Sequence, residues 1–470
     1  MNKPKKNQQI WQKVRKLVND LHLWGGLISG IVVFIVCITG TIYVYNTEIR
    51  EAASSEYYKV QADGNKIPPD SLVAMVKPSV KGRIVGIKIS HAADATTAIL
   101  FNNPSKEKQE GSERGLGAGD KGKRGETAKD IHSYGHSAGK DKSREGSEER
   151  LKIATAKGSA GGPQAGGGGG RRPRFNQMMV NPYSGELIGD VSEVKTKTAE
   201  FMQKMFGLHR WLLLNEIEEP IIEGVENRKL GSWITGTATL LFLFGVISGI
   251  IIWFPNKIRS WKNGLRIKWS AKWKRVNHDI HNTLGFYSCI ILFLMAITGP
   301  FWSFDWYRAG WQKTWGTYQS QDAPREEKSK RLSVVPSAGD KPLSIAATII
   351  AVNAVLPYEG DVTLNFALDS TGTISVSKNR IGFFAPSAGD KLTLDQYTGE
   401  VLEKNIFREK PFNERAAASI KALHIGDIYG PFTKLIYFIS CLIATSLPVT
   451  GVMIWINKMK KKTKKKVIKL

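Results

Sequence analysis

Cysteine is scarce in this sequence, which has three among 470 residues and no Cys-x-x-Cys pair. All three, Cys37, Cys289 and Cys441, fall within long apolar runs. Neither a disulfide framework nor a cysteine-based zinc site is therefore expected. Thiols buried in apolar helices are ordinary packing residues.

A nucleotide-binding signature is also missing. A formal Gly-x-Gly-x-x-Gly occurs at residues 117–122, but the surrounding segment, 104–174, is rich in Gly, Lys, Arg, Glu and Ser. A dinucleotide site needs a strand before this loop and a helix after it, and this composition predicts neither. It is typical of a disordered insertion. No flavin or nicotinamide site is therefore predicted.

Four long apolar runs are present, by contrast, and each is long enough to cross a bilayer, which takes about 20 residues. They cover approximately 23–45, 233–254, 284–306 and 432–456. The first run is too long for the core of a signal peptide and lacks a small-residue cleavage site, so we expect it to be a retained anchor. The sequence predicts a four-span protein embedded in a lipid bilayer.

The net charge of +25 is concentrated beside these runs. Residues 1–21 carry six Lys or Arg, residues 257–281 carry eight and residues 457–470 carry eight, with only two acidic residues in all three segments. This is the positive-inside pattern, which places both termini and the middle loop in the cytoplasm. It predicts the inner (cytoplasmic) membrane as the location, with large periplasmic loops, and it argues against a nucleic-acid partner.

The two outer segments contain matching turn signals. A Tyr-Ser/Thr-Gly-Glu sequence lies between short alternating runs at 180–187 and again at 394–401, and each predicts a β-hairpin. Upstream, short helices are predicted at 69–76 and 342–354. The predicted fold class is an α-helical membrane protein with α+β extracytoplasmic modules. Its four helices form two parallel repeats, each repeat carrying a helix-plus-antiparallel-sheet module.

The predicted boundaries follow from these runs. They are a cytoplasmic N-terminus with the first span (1–46), a first periplasmic module (47–230) with its insertion (104–174), a second span (231–256), a basic cytoplasmic loop (257–281), a third span (282–306), a second periplasmic module (307–430), a fourth span (431–456) and a basic cytoplasmic tail (457–470).

Four of the eight histidines recur at matched positions. His22 and His281 each stand 18 residues before the glycine of an Ile-Thr-Gly sequence, and His209 and His424 each follow a leucine upstream of a later span. The topology places the first two at the cytoplasmic mouth and the other two at the outer mouth. Ionisable groups at the edge of lipid tend to be functional. His278 is an alternative to His281 on the same helical face, although its counterpart is Asn19.

Two neutral imidazoles on facing helices suit the axial positions of haem iron better than zinc, which prefers four protein ligands or three and water. Gly25, Gly26 and Gly285 follow the cytoplasmic histidines and would let a flat macrocycle approach the helix backbones. Close helix packing explains these glycines equally well.

The order of the motifs resembles that of the PepSY-associated transmembrane family, which includes iron-regulated inner-membrane proteins and siderophore-iron reductases. The likeness covers the chain outside 104–174, and it rests on Leu21-His22-Leu-Trp-Gly-Gly, Leu208-His209-Arg-Trp-Leu, Asp279-Ile-His281, Leu423-His424-Ile-Gly-Asp and the two hairpins. The resemblance implies PepSY-like outer modules and two b-type haems. Their iron would be bound by His22 and His281 on the cytoplasmic side and by His209 and His424 on the periplasmic side.

The expected function is a di-haem electron conduit that reduces a periplasmic ferric siderophore or another Fe(III) chelate, which would make the protein an oxidoreductase of the ferric-chelate reductase type. The donor would be an external cytoplasmic reductant or a quinol. One alternative is a membrane-anchored PepSY interaction protein that restrains a peptidase or another periplasmic partner without redox activity. Another is a haem or iron permease, for which the polar residues near the middle of the bilayer, Thr39, Ser248, Thr298 and Ser446, are the main candidates.

Overall fold

The computed structural model describes residues 6–102, 175–192, 194, 196–254, 261–319, 332–335 and 341–467. The predicted insertion, 104–174, lies outside these residues. In chain order the helices are α1 (Lys6–Tyr43), α2 (Asn46–Ala52), α3 (Ser55–Tyr58), α4 (Pro69–Val76), α5 (Lys197–Trp211), α6 (Asn227–Trp253), α7 (Trp261–Gly264), α8 (Trp273–Thr298), α9 (Asp305–Thr314), α10 (Ile345–Val355), α11 (Phe412–Ala418), α12 (Ile420–Ile425) and α13 (Gly430–Val467). The strands are β1 (Arg83–Ile89), β2 (Thr97–Asn102), β3 (Asn176–Val180), β4 (Leu187–Asp190), β5 (Gly360–Asn365), β6 (Thr373–Arg380), β7 (Asp390–Asp395) and β8 (Val401–Asn405).

Four of these helices, α1, α6, α8 and α13, are long and apolar enough to cross a membrane, as predicted. The shortest apolar stretch has 27 residues, and at about 1.5 Å per residue it exceeds the roughly 30 Å hydrocarbon core of a bilayer. The helices begin earlier than the apolar runs do, because the polar residues that precede the runs continue the same helices.

The four long helices form a bundle in which α1 and α8 each pack against both α6 and α13. Helices α1 and α8 therefore lie diagonally across the bundle from each other. Its interior is apolar, with Val246, Leu292 and Ala444 buried together. The three cysteines are free thiols within these helices, as expected of packing residues.

The strands of both outer segments form one antiparallel sheet in the order β4-β3-β2-β1-β5-β6-β7-β8. Strands β1 and β5 join the two sets of four, with Ile87 opposite Leu364. The sequence predicted an antiparallel sheet in each segment and did not predict this connection. Pairing β1 with β5 satisfies two edges that would otherwise expose unpaired backbone groups.

Helices α4 and α10 cover one face of the sheet. Leu72 and Val76 of α4 and Val352 of α10 are buried against the inward-facing residues of the strands. The Asp70 carboxylate also accepts hydrogen bonds from the backbone N–H groups of Ile345 and Ala346, so α4 caps the first turn of α10. Short helices were predicted here at 69–76 and 342–354, and both are present.

Both predicted hairpins are confirmed. In the first, β3 and β4 pair across a turn in which the Asn181 side chain accepts from the N–H of Tyr183. In the second, β7 and β8 pair across a turn in which Asp395 accepts from the N–H groups of Tyr397 and Thr398. The following glycine in each turn has a φ near +75°, a conformation that favours glycine.

Candidate functional site

The structure brings His22 of α1 and His281 of α8 together inside the bundle, with ring centroids 6.4 Å apart and ring planes nearly perpendicular. We call these two residues the inner pair. Nδ1 of His22 lies 2.9 Å from Oγ of Ser248 on α6, and Nδ1 of His281 lies 2.8 Å from Oγ1 of Thr450 on α13. Each ring is thus oriented by a hydroxyl group of a neighbouring helix.

The hydroxyl partners determine which ring nitrogen carries the hydrogen. Oγ of Ser248 donates its only hydrogen to the carbonyl of Phe244, and Oγ1 of Thr450 donates to the carbonyl of Ser446. Each hydroxyl can therefore only accept from the histidine, so Nδ1 is the donor in both rings. Nε2 then keeps its lone pair. Among the described residues, it has no hydrogen-bond partner in either ring.

His209 of α5 and His424 of α12 form a second pair near the opposite ends of α1 and α8, with ring centroids 6.2 Å apart. We call these residues the outer pair. Nδ1 of His209 donates to the carbonyl of Val36 over 2.8 Å, and Nδ1 of His424 donates to the carbonyl of Met295 over 3.2 Å. Since a carbonyl can only accept, this pair has the same tautomer as the inner pair.

A Ser/Thr-Gly dipeptide contacts each of the four imidazoles, and we call it the acceptor dipeptide. The hydroxyl lies near Nδ1, and a Cβ added to the glycine would lie 3.1–3.5 Å from Cε1 of the ring. The assignments are Ser248-Gly249 for His22, Thr39-Gly40 for His209, Thr450-Gly451 for His281 and Thr298-Gly299 for His424. The sequence did not predict these contacts, although a hydroxyl residue before a glycine in all four spans was the available signal.

This geometry also accounts for Thr39, Ser248 and Thr298, which the permease alternative placed along a transport path. Each hydroxyl donates to a carbonyl within its own helix and lies beside an imidazole. These residues therefore orient histidines in the structure.

The family model for the PepSY-associated TM region matches residues 20–458, which is nearly the whole chain. The protein belongs to this family. No curated protein matches the chain significantly. Family membership agrees with the four membrane helices and establishes a multi-pass membrane protein.

In this PepSY-associated membrane protein, a cavity of about 520 Å³ adjoins the inner pair. Gly26 and Gly285 line it, together with apolar side chains such as Phe242 and Leu292. A Cβ added to Gly26 would meet no atom within 4 Å, so this glycine leaves open space beside His22. A Cβ added to Gly25 would also meet no atom within 4 Å, but Gly25 does not line the cavity.

Cationic side chains also line this cavity: Arg15, Arg275 and Lys458. Arg15 donates to the carbonyl of Ile252, and Arg275 forms an ion pair with the buried Asp279 over 2.8 Å. The cavity therefore combines an apolar interior with positive charge from residues at the basic ends of the bundle.

His278, the alternative to His281, has a different environment. Its side chain is half exposed and its ring bonds the Asn282 side chain on the same helix. His281 is the residue that faces His22.

The outer pair is partly buried, and desolvation lowers the pKa of His209 and lowers the pKa of His424 to about 3. Both rings are therefore neutral near pH 7. The neutral imidazole is the form that binds a metal ion.

The pairs fit a haem better than a metal ion held by protein ligands alone. Two imidazoles on opposite sides of one metal ion have ring centroids about 6 Å apart, because each metal–nitrogen bond is about 2 Å long. Within the described ranges, no group of three or more His, Cys, Asp or Glu side chains is placed to hold a metal ion. A metal that brings its own planar ring of ligands needs only the two axial nitrogens that each pair offers.

Proposed function

We propose that the protein is a di-haem conduit of the inner membrane, which passes electrons from the cytoplasmic side to an Fe(III) chelate, such as a ferric siderophore, in the periplasm. The observation that carries this proposal is that four partly buried histidines share one tautomer and lie together as two pairs, with no hydrogen-bond partner at Nε2 among the described residues. His22 with His281 would hold one b-type haem, and His209 with His424 would hold a second. Bound haem supplies a one-electron Fe(III)/Fe(II) couple.

The hydrogen bonds at Nδ1 support a ligand role for each histidine. An acceptor at Nδ1 fixes the orientation of the ring and raises the basicity of Nε2, as in many metal sites. The described residues offer Nε2 of these rings no hydrogen-bond partner, so this nitrogen is available to a metal.

The spacing of the pairs supports a path along the bundle. His22 and Val36 both lie on α1, and the Val36 carbonyl accepts from His209. The 14 residues between them correspond to about 21 Å along the helix axis. Val246, Leu292 and Ala444 form a buried apolar cluster within the bundle.

The topology that we propose has both termini in the cytoplasm and the sheet in the periplasm. Arg15, Lys272 and Lys458 lie near the ends of three spans on the inner-pair side, in agreement with the positive-inside rule. The connections that carry all eight strands leave from the opposite ends. We also propose that residues 6–254 and 261–467 are two parallel repeats, because each half has two spans, two of the four paired histidines and two acceptor dipeptides.

A ferric chelate is the substrate class that one-electron chemistry on the periplasmic side favours. Chelators with hard oxygen ligands prefer Fe(III), and Fe(II) is softer, so one electron loosens the complex and releases iron. Because the sequence contains no flavin or nicotinamide motif, we propose that the electron comes from a separate cytoplasmic donor or from a quinol in the membrane.

The visible spectrum of the purified protein, oxidised and reduced with dithionite, tests the proposal. We expect low-spin bands and two haems per chain. His22→Ala should remove one haem and His424→Ala the other. We call the eight-stranded sheet with α4 and α10 the outer domain. Its histidine His91 is half exposed, and His91→Ala should leave both haems bound. Protein without haem, made with an ample haem supply, would contradict the conduit and favour an interaction protein.

A further inference from the structure

Three arginine side chains gather beside the outer pair. Arg210 follows His209 on α5, and its Nη2 donates to the carbonyl of Trp302 over 2.6 Å. The Trp302 ring in turn lies 5.2 Å from the His424 ring, between centroids. The Arg210 guanidinium is therefore hydrogen-bonded to the backbone of Trp302, whose ring packs against His424 of the outer pair.

The other two arginines rest on neighbouring aromatic rings. The Arg228 guanidinium lies 4.3 Å from the centroid of Trp211, the residue after Arg210. The Arg308 guanidinium lies 5.7 Å from the centroid of Phe301, which contacts Trp302. These aromatic side chains orient the guanidinium groups and leave their N–H groups available to an anion.

The positive charge of this cluster is poorly neutralised within the protein. Among the described ion pairs of the three arginines, the only carboxylate is that of Asp305, which is 91% exposed and lies 3.0 Å from Arg308. Nε of Arg308 is buried and has no hydrogen-bond partner among the described residues. Like charges held together in this way are stabilised when an anion binds between them.

We propose that Arg210, Arg228 and Arg308 bind the carboxylate groups of the haem at the outer pair, an inference that rests on the proposed function. A haem carries two propionate carboxylates on one edge, and the planar guanidinium fork of arginine matches a carboxylate with two parallel hydrogen bonds. At the inner pair, Arg15 and Arg275 line the cavity and would meet the other carboxylates. The carboxylate edges of the two haems would then point towards opposite sides of the membrane.

Comparison of haem with haem dimethyl ester tests this role, because the ester has the same ring and lacks the carboxylate charges. The measurement uses the His281→Ala protein, which should retain only the outer site, prepared without haem and titrated with either compound. We expect haem to bind at least about tenfold more tightly than the ester. Arg228→Gln and Arg308→Gln should bring the ratio of haem affinity to ester affinity towards one. Arg228→Lys should retain part of the preference for haem.

Arg83 provides the matched control, because this exposed arginine lies on β1 and donates to a backbone carbonyl of the outer domain. Arg83→Gln should leave the ratio unchanged. Equal affinity for haem and the ester with all three arginines present would overturn the inference, while the outer haem itself would still be bound. The inference would also be overturned if both glutamine variants kept the wild-type ratio of haem to ester affinity and bound ferric citrate more weakly. That outcome would assign the arginine cluster to a carboxylate chelate from solution. Failure of the His281→Ala protein to bind any haem would instead contradict the proposed function.

Discussion

Oγ1 of Thr450 accepts the Nδ1 hydrogen of His281 over 2.8 Å and donates its own hydrogen to the carbonyl of Ser446. This one contact fixes the tautomer of His281, whose ring lies 6.4 Å from that of His22 between centroids. Oγ of Ser248 accepts from His22 in the same way, whereas the outer histidines donate to backbone carbonyls. We expect the two hydroxyl acceptors of the inner pair to determine how tightly the neighbouring histidine binds a metal.

Thr450→Val removes the acceptor and keeps the shape of the side chain. Because Nδ1 of His281 would lose its partner, we expect haem affinity at the inner pair to fall about 10-fold to 100-fold. Thr450→Ser should retain most of the affinity. Thr445→Val is the control on the same helix, since Oγ1 of Thr445 bonds only the Cys441 carbonyl. Haem content after gel filtration measures the effect, and equal retention by both valine variants would contradict it.

Gly40→Ala should disturb the outer pair selectively. The added Cβ would lie 3.1 Å from Cε1 of His209, which is closer than ordinary van der Waals contact, so the ring must shift. We expect loss of the outer haem or a change of its low-spin spectrum, with the inner haem unaffected. Gly310→Ala is the control, because a Cβ at that glycine meets no atom within 4 Å. A redox titration that still shows two unchanged haems in Gly40→Ala would refute this prediction.

His278→Ala and His281→Ala distinguish the two candidate ligands on α8. Only His281 faces His22, whereas His278 bonds Asn282 at the surface of the bundle. We therefore expect His281→Ala to lose one of two haems and His278→Ala to retain both. Pyridine haemochrome assays against protein concentration give the stoichiometry, and loss of a haem from the His278 variant alone would reverse the assignment.

Asp395→Asn should change how the stability of the outer domain depends on pH. Burial raises the pKa of Asp395, but hydrogen bonds from the N–H groups of Thr398, Tyr397 and Val334 outweigh burial and lower it below the usual 3.8. A carboxylate with a lowered pKa stabilises the folded state above the pKa of the unfolded chain, and the stability is lost as the pH falls through the folded value.

The wild-type protein should therefore be more stable than Asp395→Asn at pH 7, and the difference should narrow as the pH falls below about 4. Asn181 already occupies the matching place in the first hairpin, so an asparagine fits this turn. Thermal unfolding of both proteins at pH 7, 5 and 3 measures the difference. A stability difference that does not change with pH would show that the charge of Asp395 is not its source.

The sequence predicted the features that depend on local patterns. Run length predicted the four spans, and a Tyr-Ser/Thr-Gly-Glu turn predicted both hairpins. The pairing of His22 with His281 followed from their matched positions. The contacts between the acceptor dipeptides and the histidines could not be predicted in this way. Ser248 lies 226 residues from the histidine that it contacts, and a hydroxyl in an apolar helix usually bonds its own backbone.

The union of β1 with β5 was not predictable from the sequence either. Alternation of polar and apolar residues defines a strand and its buried face, but it does not select the partner strand. Ile87 and Leu364 meet across more than half of the chain, and only the folded arrangement of both halves places them side by side.

Each histidine is oriented by an acceptor dipeptide of its own half, while its ring partner comes from the other half. The first half alone can prepare two single imidazoles and complete neither pair. Under the proposed function, neither site can be completed during synthesis before the second half of the chain, which carries His281 and His424, has been made. Cofactor loading at these pairs would then report on the completeness of assembly.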